Sequence, residues 1–90
     1  MERVSIRIIG KVTGVFFRAH VRDLARDLGI KGYVKNTPED DLLVVAEGDK
    51  KALNKLVSFC KKGPESAVVE KIKIKNETFK NEFDNFLIEY

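Results

Sequence analysis

Two glycines and an arginine, spread over nine residues near the N-terminus, form the segment best suited to chemistry. Gly10 and Gly14 lie between an apolar strand pattern and an amphipathic helix pattern, and Arg18 falls in the first turn of that helix. Glycine lets a backbone turn tightly and approach a ligand closely. The first N–H groups of a helix lack partners within it and carry a partial positive charge. The segment therefore predicts an anion site made of backbone N–H groups and closed by the Arg18 guanidinium.

The same loop also has a plainer interpretation. Glycine-containing turns between strands and helices are common, and an arginine in a first helical turn is often only solvated, so the loop alone favours neither interpretation. It is not the phosphate-binding loop of ATPases, because no Gly-Lys-Ser/Thr follows Gly14, and it lacks the third glycine of the dinucleotide fingerprint. A local conflict argues for function: Arg18 is a cation at the positive end of a helix, and no acidic residue lies within Gly10–Phe17.

Length and composition bound the class of protein. Ninety residues, 43% hydrophobic and 34% charged, predict a single domain over residues 1–90 with one core. No apolar run is long enough for a membrane span or a signal region, which favours a cytoplasmic protein with no membrane partner. The single Cys60, expected to be a small core residue, fits a reducing cytosol. Together with the lone His20 it cannot form a zinc site, so we expect no metal and no cofactor.

The apolar pattern predicts the elements that must position the segment. Alternation over Arg3–Ile8 predicts a first strand, and the helical spacing from Phe17 to Leu28 predicts a helix that stops at Gly29. A second helix is expected between a cap at Asp49 and a stop at Gly63-Pro64. The other predicted strands are Ile30–Asn36, Leu42–Glu47, Val68–Lys75 and Phe86–Tyr90, with a hairpin-like turn at residues 37–41.

The order of these elements predicts an α+β fold. A βαββαβ succession with right-handed crossovers places both helices on one face of an antiparallel sheet, with a short extra C-terminal strand. We expect the ferredoxin-like two-layer sandwich. That fold supports many unrelated functions, so the site must decide between them.

The residues of the chain also resemble a known family. Gly10–Arg18 is similar to the first signature of acylphosphatases, and Gly32–Asn36, followed by an apolar strand ending in Glu47-Gly48, resembles the second. The similarity continues through Phe59–Pro64 and the closing Phe86–Tyr90. It therefore covers nearly the whole chain, in order, and two matched signatures are more specific than either one.

The resemblance implies an acylphosphatase, a metal-independent hydrolase that converts a small acyl phosphate into a carboxylate and inorganic phosphate. It further implies that Arg18 binds the phosphoryl group and that Asn36 positions the attacking water. A phosphate-binding loop would complete the site through the backbone N–H groups of Lys11, Val12, Thr13, Gly14 and Val15. We expect such a protein to be a monomer that binds no specific nucleic acid.

Two positions depart from the family pattern. Thr13 stands where the family usually has glutamine, and Asp40 stands near the glycine expected after Asn36. Asp40 lies between Glu39 and Asp41, so the turn carries three negative charges. If this turn folds back over the loop, its charges are expected to weaken anion binding.

Two other functions stay open on the sequence. Residues 1–36 contain eight Lys and Arg against three acidic residues within a chain of net charge +3, and a positive half can steer either a small anion or RNA. Against a non-enzymatic RNA-binding module, Phe16 and Phe17 fall at a loop–helix junction, whereas sheet-based RNA readers carry aromatics on exposed strands. The other possibility is an acylphosphatase-like domain that acts only within a larger enzyme. Asn36 by itself also fits a turn-forming role before Thr37-Pro38.

Overall fold

A five-stranded sheet with two helices packed on one face is the architecture of the computed structural model, which describes all 90 residues. The order confirms the predicted βαββαβ succession with an added C-terminal strand. The elements are β1 (Glu2–Lys11), α1 (Phe17–Asp27), β2 (Lys31–Asn36), β3 (Leu42–Gly48), α2 (Lys50–Lys62), β4 (Val68–Glu77) and β5 (Phe86–Glu89). At 11 and 13 residues, neither helix is long and apolar enough to cross a membrane.

The strand order decides which strand ends meet. The sheet runs β4-β1-β3-β2-β5, with β3 antiparallel to both β1 and β2. Strands β1 and β2 are therefore parallel to each other although β3 separates them. Strand β5 pairs parallel with β2, so an otherwise antiparallel sheet is mixed. As a result β1, β2 and β5 all finish at the same end of the sheet, hereafter the upper end.

The cross-strand register brings Asn36 to this upper end. Leu42 of β3 pairs with Ile8 of β1 on one side and with Asn36 of β2 on the other. Two strand spacings put Asn36 about 10 Å from Ile8. Side chains alternate along a strand, so Asn36 shares the face of the buried Val34, which is the face that carries the helices.

The core lies between the sheet and the two helices. Helix α1 contributes a stripe at every fourth position, as its amphipathic pattern predicts, and α2 contributes a second stripe. Cys60 is fully buried, as expected, and burial raises the pKa of its thiol to about 12. The largest fully buried side chains are Phe17, Phe86, Ile6, Ile8, Ile30, Leu42 and Leu56.

The start of α2 differs in one respect from the expectation. Asp49 is at the N-cap position, but its carboxylate makes no capping hydrogen bond. Its backbone carbonyl accepts a hydrogen bond from the Leu53 N–H at 2.9 Å. Gly63 ends the helix with a φ of 72°, a left-handed value that glycine adopts without strain.

A buried ionic cluster lies at the end of the sheet opposite to the upper end. The Arg3 guanidinium pairs with Glu47 at 3.3 Å, with Glu77 at 2.9 Å and with Glu82. The Lys80 N–H also donates to Glu47, at 2.8 Å. Burial by itself raises the pKa of the Glu47 carboxyl, but the hydrogen bonds from Lys80 and Arg3 bring it below its usual value. The cluster thereby fastens the segment between β4 and β5 onto β1 and β3.

Replacement of Arg3 by methionine tests this cluster. Because Arg3→Met leaves the buried Glu47 without its cation, we expect the free energy of unfolding at pH 7 to fall by about 3 kcal/mol. The folded-state pKa of Glu47 is depressed, so the contribution of the pair is complete above the unfolded-state pKa and is lost as the pH falls through the folded-state value. The difference between the two proteins, measured by urea denaturation, should therefore shrink toward about pH 2.

Arg7→Met is the matched control, since Arg7 lies on the same strand and also pairs with carboxylates but is more exposed. It should cost clearly less stability than Arg3→Met. Equal losses, or a loss for Arg3→Met that does not change with pH, would contradict this account of the cluster.

Candidate active site

The loop between β1 and α1 leaves the sheet through a bulge at Gly10. The register of β1 against β4 shifts between Ile9 and Gly10, and Gly10 has a φ of 142°. A Cβ at this position would overlap the backbone carbonyl oxygen of Val68. Only glycine permits both this φ and the close approach of β4, so the first glycine of the loop is required by the sheet.

The rest of the loop curls because its backbone alternates in hand. Gly14 (φ 71°) and Phe16 (φ 60°) are left-handed, whereas Val15 between them has a negative φ. Such alternation turns successive N–H groups toward one concave side, the arrangement of a backbone anion nest. The N–H groups of Val12, Thr13, Gly14 and Val15 donate no hydrogen bond to any protein group.

Two carbonyl groups at the end of this loop, by contrast, accept hydrogen bonds from the protein. Ser66 Oγ donates to the Val15 carbonyl at 3.4 Å, and His20 Nδ1 lies 2.9 Å from the Phe16 carbonyl oxygen. Helix α1 then begins at Phe17 with no side-chain cap and no acidic residue in its first turn. Free N–H groups and the positive end of the helix are thus exposed together, as the sequence predicts.

Arg18 has no ionic partner in the protein. Its guanidinium forms no salt bridge or hydrogen bond and stacks over the Tyr90 ring, with its central carbon 5.1 Å from the ring centroid. Arg22, one turn further along α1, pairs with the neighbouring Asp23 at 3.0 Å. Arg26, a further turn along, donates from its Nε to the backbone of β5 at 3.0 Å. The guanidinium donors of Arg18 are therefore available to a ligand.

A cavity of about 300 Å³ opens beside Arg18. Its walls are mainly apolar and come from the loop, the first turn of α1 and the end of β5. The lining residues are Val12, Gly14, Phe16, Phe17, Arg18, Ala19, Ile88 and Tyr90. The cavity thus offers one cationic group among apolar walls.

Asn36 lies outside this cavity. It is exposed at the last position of β2, and its side-chain amide makes no hydrogen bond within the protein. The structure therefore brings Arg18 together with Val12 and Gly14 of the loop, whereas Asn36 shares with them the upper end of the sheet. The turn-forming hydrogen bond considered for Asn36 is absent, since Thr37 supplies the side-chain hydrogen bond of that turn, accepting the Asp41 N–H at 3.2 Å.

The turn after Asn36 folds toward the loop. Asp40 adopts a left-handed φ of 65°, and its Oδ1 accepts a hydrogen bond from Thr13 Oγ1 at 2.9 Å. The two positions that depart from the family pattern are therefore in contact. The acidic turn therefore does fold back toward the loop, which the sequence alone does not determine.

Two contributors to the cavity are missing from the sequence analysis. Tyr90 stacks on Arg18 and Ile88 lines the wall, because β5 runs parallel to β2 and so ends at the upper end. Their place beside Arg18 depends on which strand β5 pairs with and in which direction it runs. The sequence of a four-residue apolar strand determines neither. No group of three or more His, Cys, Asp and Glu side chains is arranged to hold a metal ion.

Comparisons with known proteins agree on one family. A family model described as Acylphosphatase matches residues 4–88. An acylphosphatase of Syntrophus aciditrophicus is 42% identical to the chain over 90 residues, which cover 100% of this chain and 94% of that protein. These matches concern an enzyme family rather than a non-enzymatic RNA-binding module.

Solved structures give the same result. The crystal structure of acylphosphatase from Bacillus subtilis is similar with a TM-score of 0.95 at 30% identity, covering 100% of both chains. The structure of full-length HypF in its phosphate- and nucleotide-bound form is similar with a TM-score of 0.90 at 28% identity, covering 99% of this chain but 12% of that one. The fold thus also occurs as a small part of a larger protein.

Alanine substitution should show that Gly10 and Gly14 are needed for different reasons: Gly10 for space against β4, and Gly14 only for its left-handed φ. Gly10→Ala introduces a Cβ that overlaps the Val68 carbonyl, so we expect it to lower the free energy of unfolding by more than about 2 kcal/mol. A Cβ at Gly14 meets no atom within 4 Å, so Gly14→Ala bears only the left-handed strain of about 1 kcal/mol. Chemical denaturation measures both values. A larger loss for Gly14→Ala than for Gly10→Ala would contradict the bulge as the origin of the loop.

Proposed function

Because this chain belongs to the acylphosphatase family and hydrolyses the carboxyl–phosphate bond of acyl phosphates, we propose that Arg18, Asn36 and the N–H groups of Lys11–Val15 carry out the reaction. One observation carries the assignment: an arginine without an ionic partner stands beside a curled loop in which the N–H groups of Val12–Val15 donate to nothing in the protein. This combination suits a phosphoryl group, which needs several converging donors and positive charge.

In this proposal the phosphoryl oxygens bind to the loop and to the guanidinium. The planar fork of Arg18 donates two parallel hydrogen bonds, and the backbone N–H groups of residues 11–15 bind the remaining oxygens. The Tyr90 ring contacts the guanidinium through its face and uses none of its hydrogen-bond donors. The apolar walls of the cavity beside Arg18 accommodate the carbon part of the acyl group.

Asn36 has the role of holding the attacking water. Its free amide offers an oxygen that accepts a hydrogen bond from water and an NH₂ group that donates one to the water or to the phosphoryl group. Its position at the upper end supports this role, because it lies at the same end of the sheet as the loop and Arg18 without occupying the cavity.

The chemistry of the substrate explains why so few side chains are needed. The water oxygen forms a bond to phosphorus while the bond from phosphorus to the acyl oxygen breaks, and the electron pair of that bond leaves on the carboxylate. The conjugate acid of a carboxylate has a pKa of about 4, so the group departs as an anion without a general acid. The proton lost by water passes to the phosphate product or to solvent. Neither a metal nor a cofactor is part of the proposed reaction.

Catalysis then consists of positioning and electrostatic stabilisation. Phosphoryl transfer proceeds through a loose transition state with negative charge on the equatorial oxygens. Arg18 and the N–H groups stabilise that charge from fixed positions, so they need no reorganisation during the reaction. Asn36 fixes the nucleophile in the orientation for attack.

We also propose a single-domain monomer in the cytoplasm that acts on small molecules and binds no specific nucleic acid. Edge strand β4 carries Lys71, Lys73 and Lys75, and charged side chains on an edge oppose pairing with a second chain. The single core extends from β4 to β5, which supports one domain. The free, buried Cys60 is compatible with a reducing compartment.

Alanine substitutions should distinguish the two side chains. Arg18→Ala removes a donor to both bound phosphate and the transition state, so phosphate affinity and turnover should fall together, and Arg18→Lys should not restore them fully. Asn36→Ala should lower turnover by roughly 100-fold or more while phosphate still binds. The measurements are benzoyl phosphate hydrolysis by ultraviolet absorbance and phosphate binding by calorimetry on folded variants.

Arg22→Ala is the control, because it removes an arginine of the same helix that already pairs with Asp23. It should change neither quantity appreciably. Near-normal turnover in Asn36→Ala, or undiminished phosphate affinity in Arg18→Ala, would show that these roles are wrongly assigned.

Chelation tests the proposed independence from metal. Because the leaving carboxylate needs no Lewis acid, EDTA should leave benzoyl phosphate hydrolysis unchanged once contaminating phosphatases are removed. The proposal fails if EDTA abolishes activity and a stoichiometric divalent metal restores it.

A further inference from the structure

The three carboxylates of the turn between β2 and β3 differ in their surroundings. Asp41 and Glu39 both pair with the Arg7 guanidinium, at 3.0 and 3.4 Å. Asp40 has no cationic partner, and its carboxylate forms its only hydrogen bond with the Thr13 hydroxyl. Asp40 is therefore the one carboxylate of this turn without a cationic partner.

The turn itself fixes where this charge lies. The Asp40 N–H donates to the Thr37 carbonyl at 3.0 Å, and the Thr37 N–H donates to the Asp41 carbonyl at 2.9 Å. These bonds enclose a three-residue hairpin loop that ends in a left-handed residue, a common connection between strands. The conformation of Asp40 follows from the hairpin, and its side chain extends to the neighbouring loop.

The contact brings the charge beside the N–H groups of residues 11–15. Thr13 Oγ1 is three covalent bonds from the Thr13 backbone nitrogen and 2.9 Å from Asp40 Oδ1. The carboxylate oxygen is therefore at most about 7 Å from that nitrogen. This distance is below the Debye length of about 10 Å in 0.1 M salt, so a bound anion is exposed to the charge.

We propose that Asp40 limits the affinity of the loop for phosphate anions. Its carboxylate, held against the loop by Thr13, repels the phosphoryl group and weakens the binding of both acyl phosphate and inorganic phosphate. The inference rests on the proposed function, since it assumes that the anion binds to the N–H groups of residues 11–15. Asp40 acts through its charge, without a hydrogen bond to the substrate, and its effect on the product promotes phosphate release.

Asp40→Asn isolates the charge. Asparagine keeps an acceptor oxygen for Thr13 and tolerates a left-handed φ, so the turn and the contact are retained. Removal of one unit charge at this distance should strengthen phosphate binding by about threefold at low salt. The difference should disappear near 1 M salt, where the Debye length is about 3 Å. The KM for benzoyl phosphate should fall in parallel with the phosphate Kd.

Two further variants separate charge from structure. Glu39→Gln removes the same charge from the neighbouring position, where the carboxylate pairs with Arg7 instead of contacting the loop, and should change phosphate affinity less than Asp40→Asn does. Thr13→Val removes the hydroxyl that holds Asp40 against the loop. In the Thr13→Val background, Asp40→Asn should therefore have a smaller effect than in the unmodified protein, a coupling that a double-mutant cycle measures.

Calorimetric titration of each variant with inorganic phosphate, at about 10 mM and 1 M salt, decides the matter. Unchanged affinity in Asp40→Asn, a gain that persists at high salt, or an equal gain in Glu39→Gln would overturn the inference. Arg18→Ala is titrated in parallel as a test of the site. If Arg18→Ala keeps its phosphate affinity, the proposed site is wrong; if it loses affinity while Asp40→Asn is unchanged, only the role of Asp40 is wrong.

Discussion

Backbone N–H groups without a protein acceptor are the constraint around which this molecule is organised. These groups contribute no hydrogen bonds to the fold, so a loop that keeps several of them free must be held by other means. Here Gly10 fixes the departure of the loop from the sheet, and hydrogen bonds from Ser66 and His20 hold its carbonyl groups. The fold thereby maintains a conformation that the loop could not maintain alone.

The sheet topology brings other residues to the same end of the molecule as this loop. Three strands that are parallel to one another finish at the upper end, and each supplies one part of the proposed site: β1 leads into the loop, β2 ends in Asn36, and β5 leads to the ring against Arg18. The crossover through α1 returns the chain so that β2 runs in the direction of β1. If β2 or β5 ran antiparallel to β1, its C-terminal residue would lie at the opposite end of the sheet from the loop.

The sequence predicts what depends on local patterns. The alternating strand at Arg3–Ile8, the helical stripe after Phe17 and the acid-free start of that helix are short-range features, and each is found. The sequence does not predict what depends on partners distant in the chain. The stacking of Tyr90 on Arg18 and the hydrogen bond from Arg26 to β5 both depend on where β5 pairs in the sheet. The contact of Asp40 with Thr13 depends on the geometry of the hairpin between β2 and β3.

Left-handed backbone at non-glycine residues bears on how this protein can be altered. Phe16 and Asp40 both have φ values near 60°, although glycine or asparagine would adopt them with less strain, and both flank the same loop. Substitutions there are accessible routes to greater stability for an engineer or for evolution. Because Phe16 lines the cavity and Asp40 contacts the loop, a substitution made there for thermal tolerance also alters the surroundings of the proposed site. Heat resistance and the shape of this end of the molecule are therefore coupled.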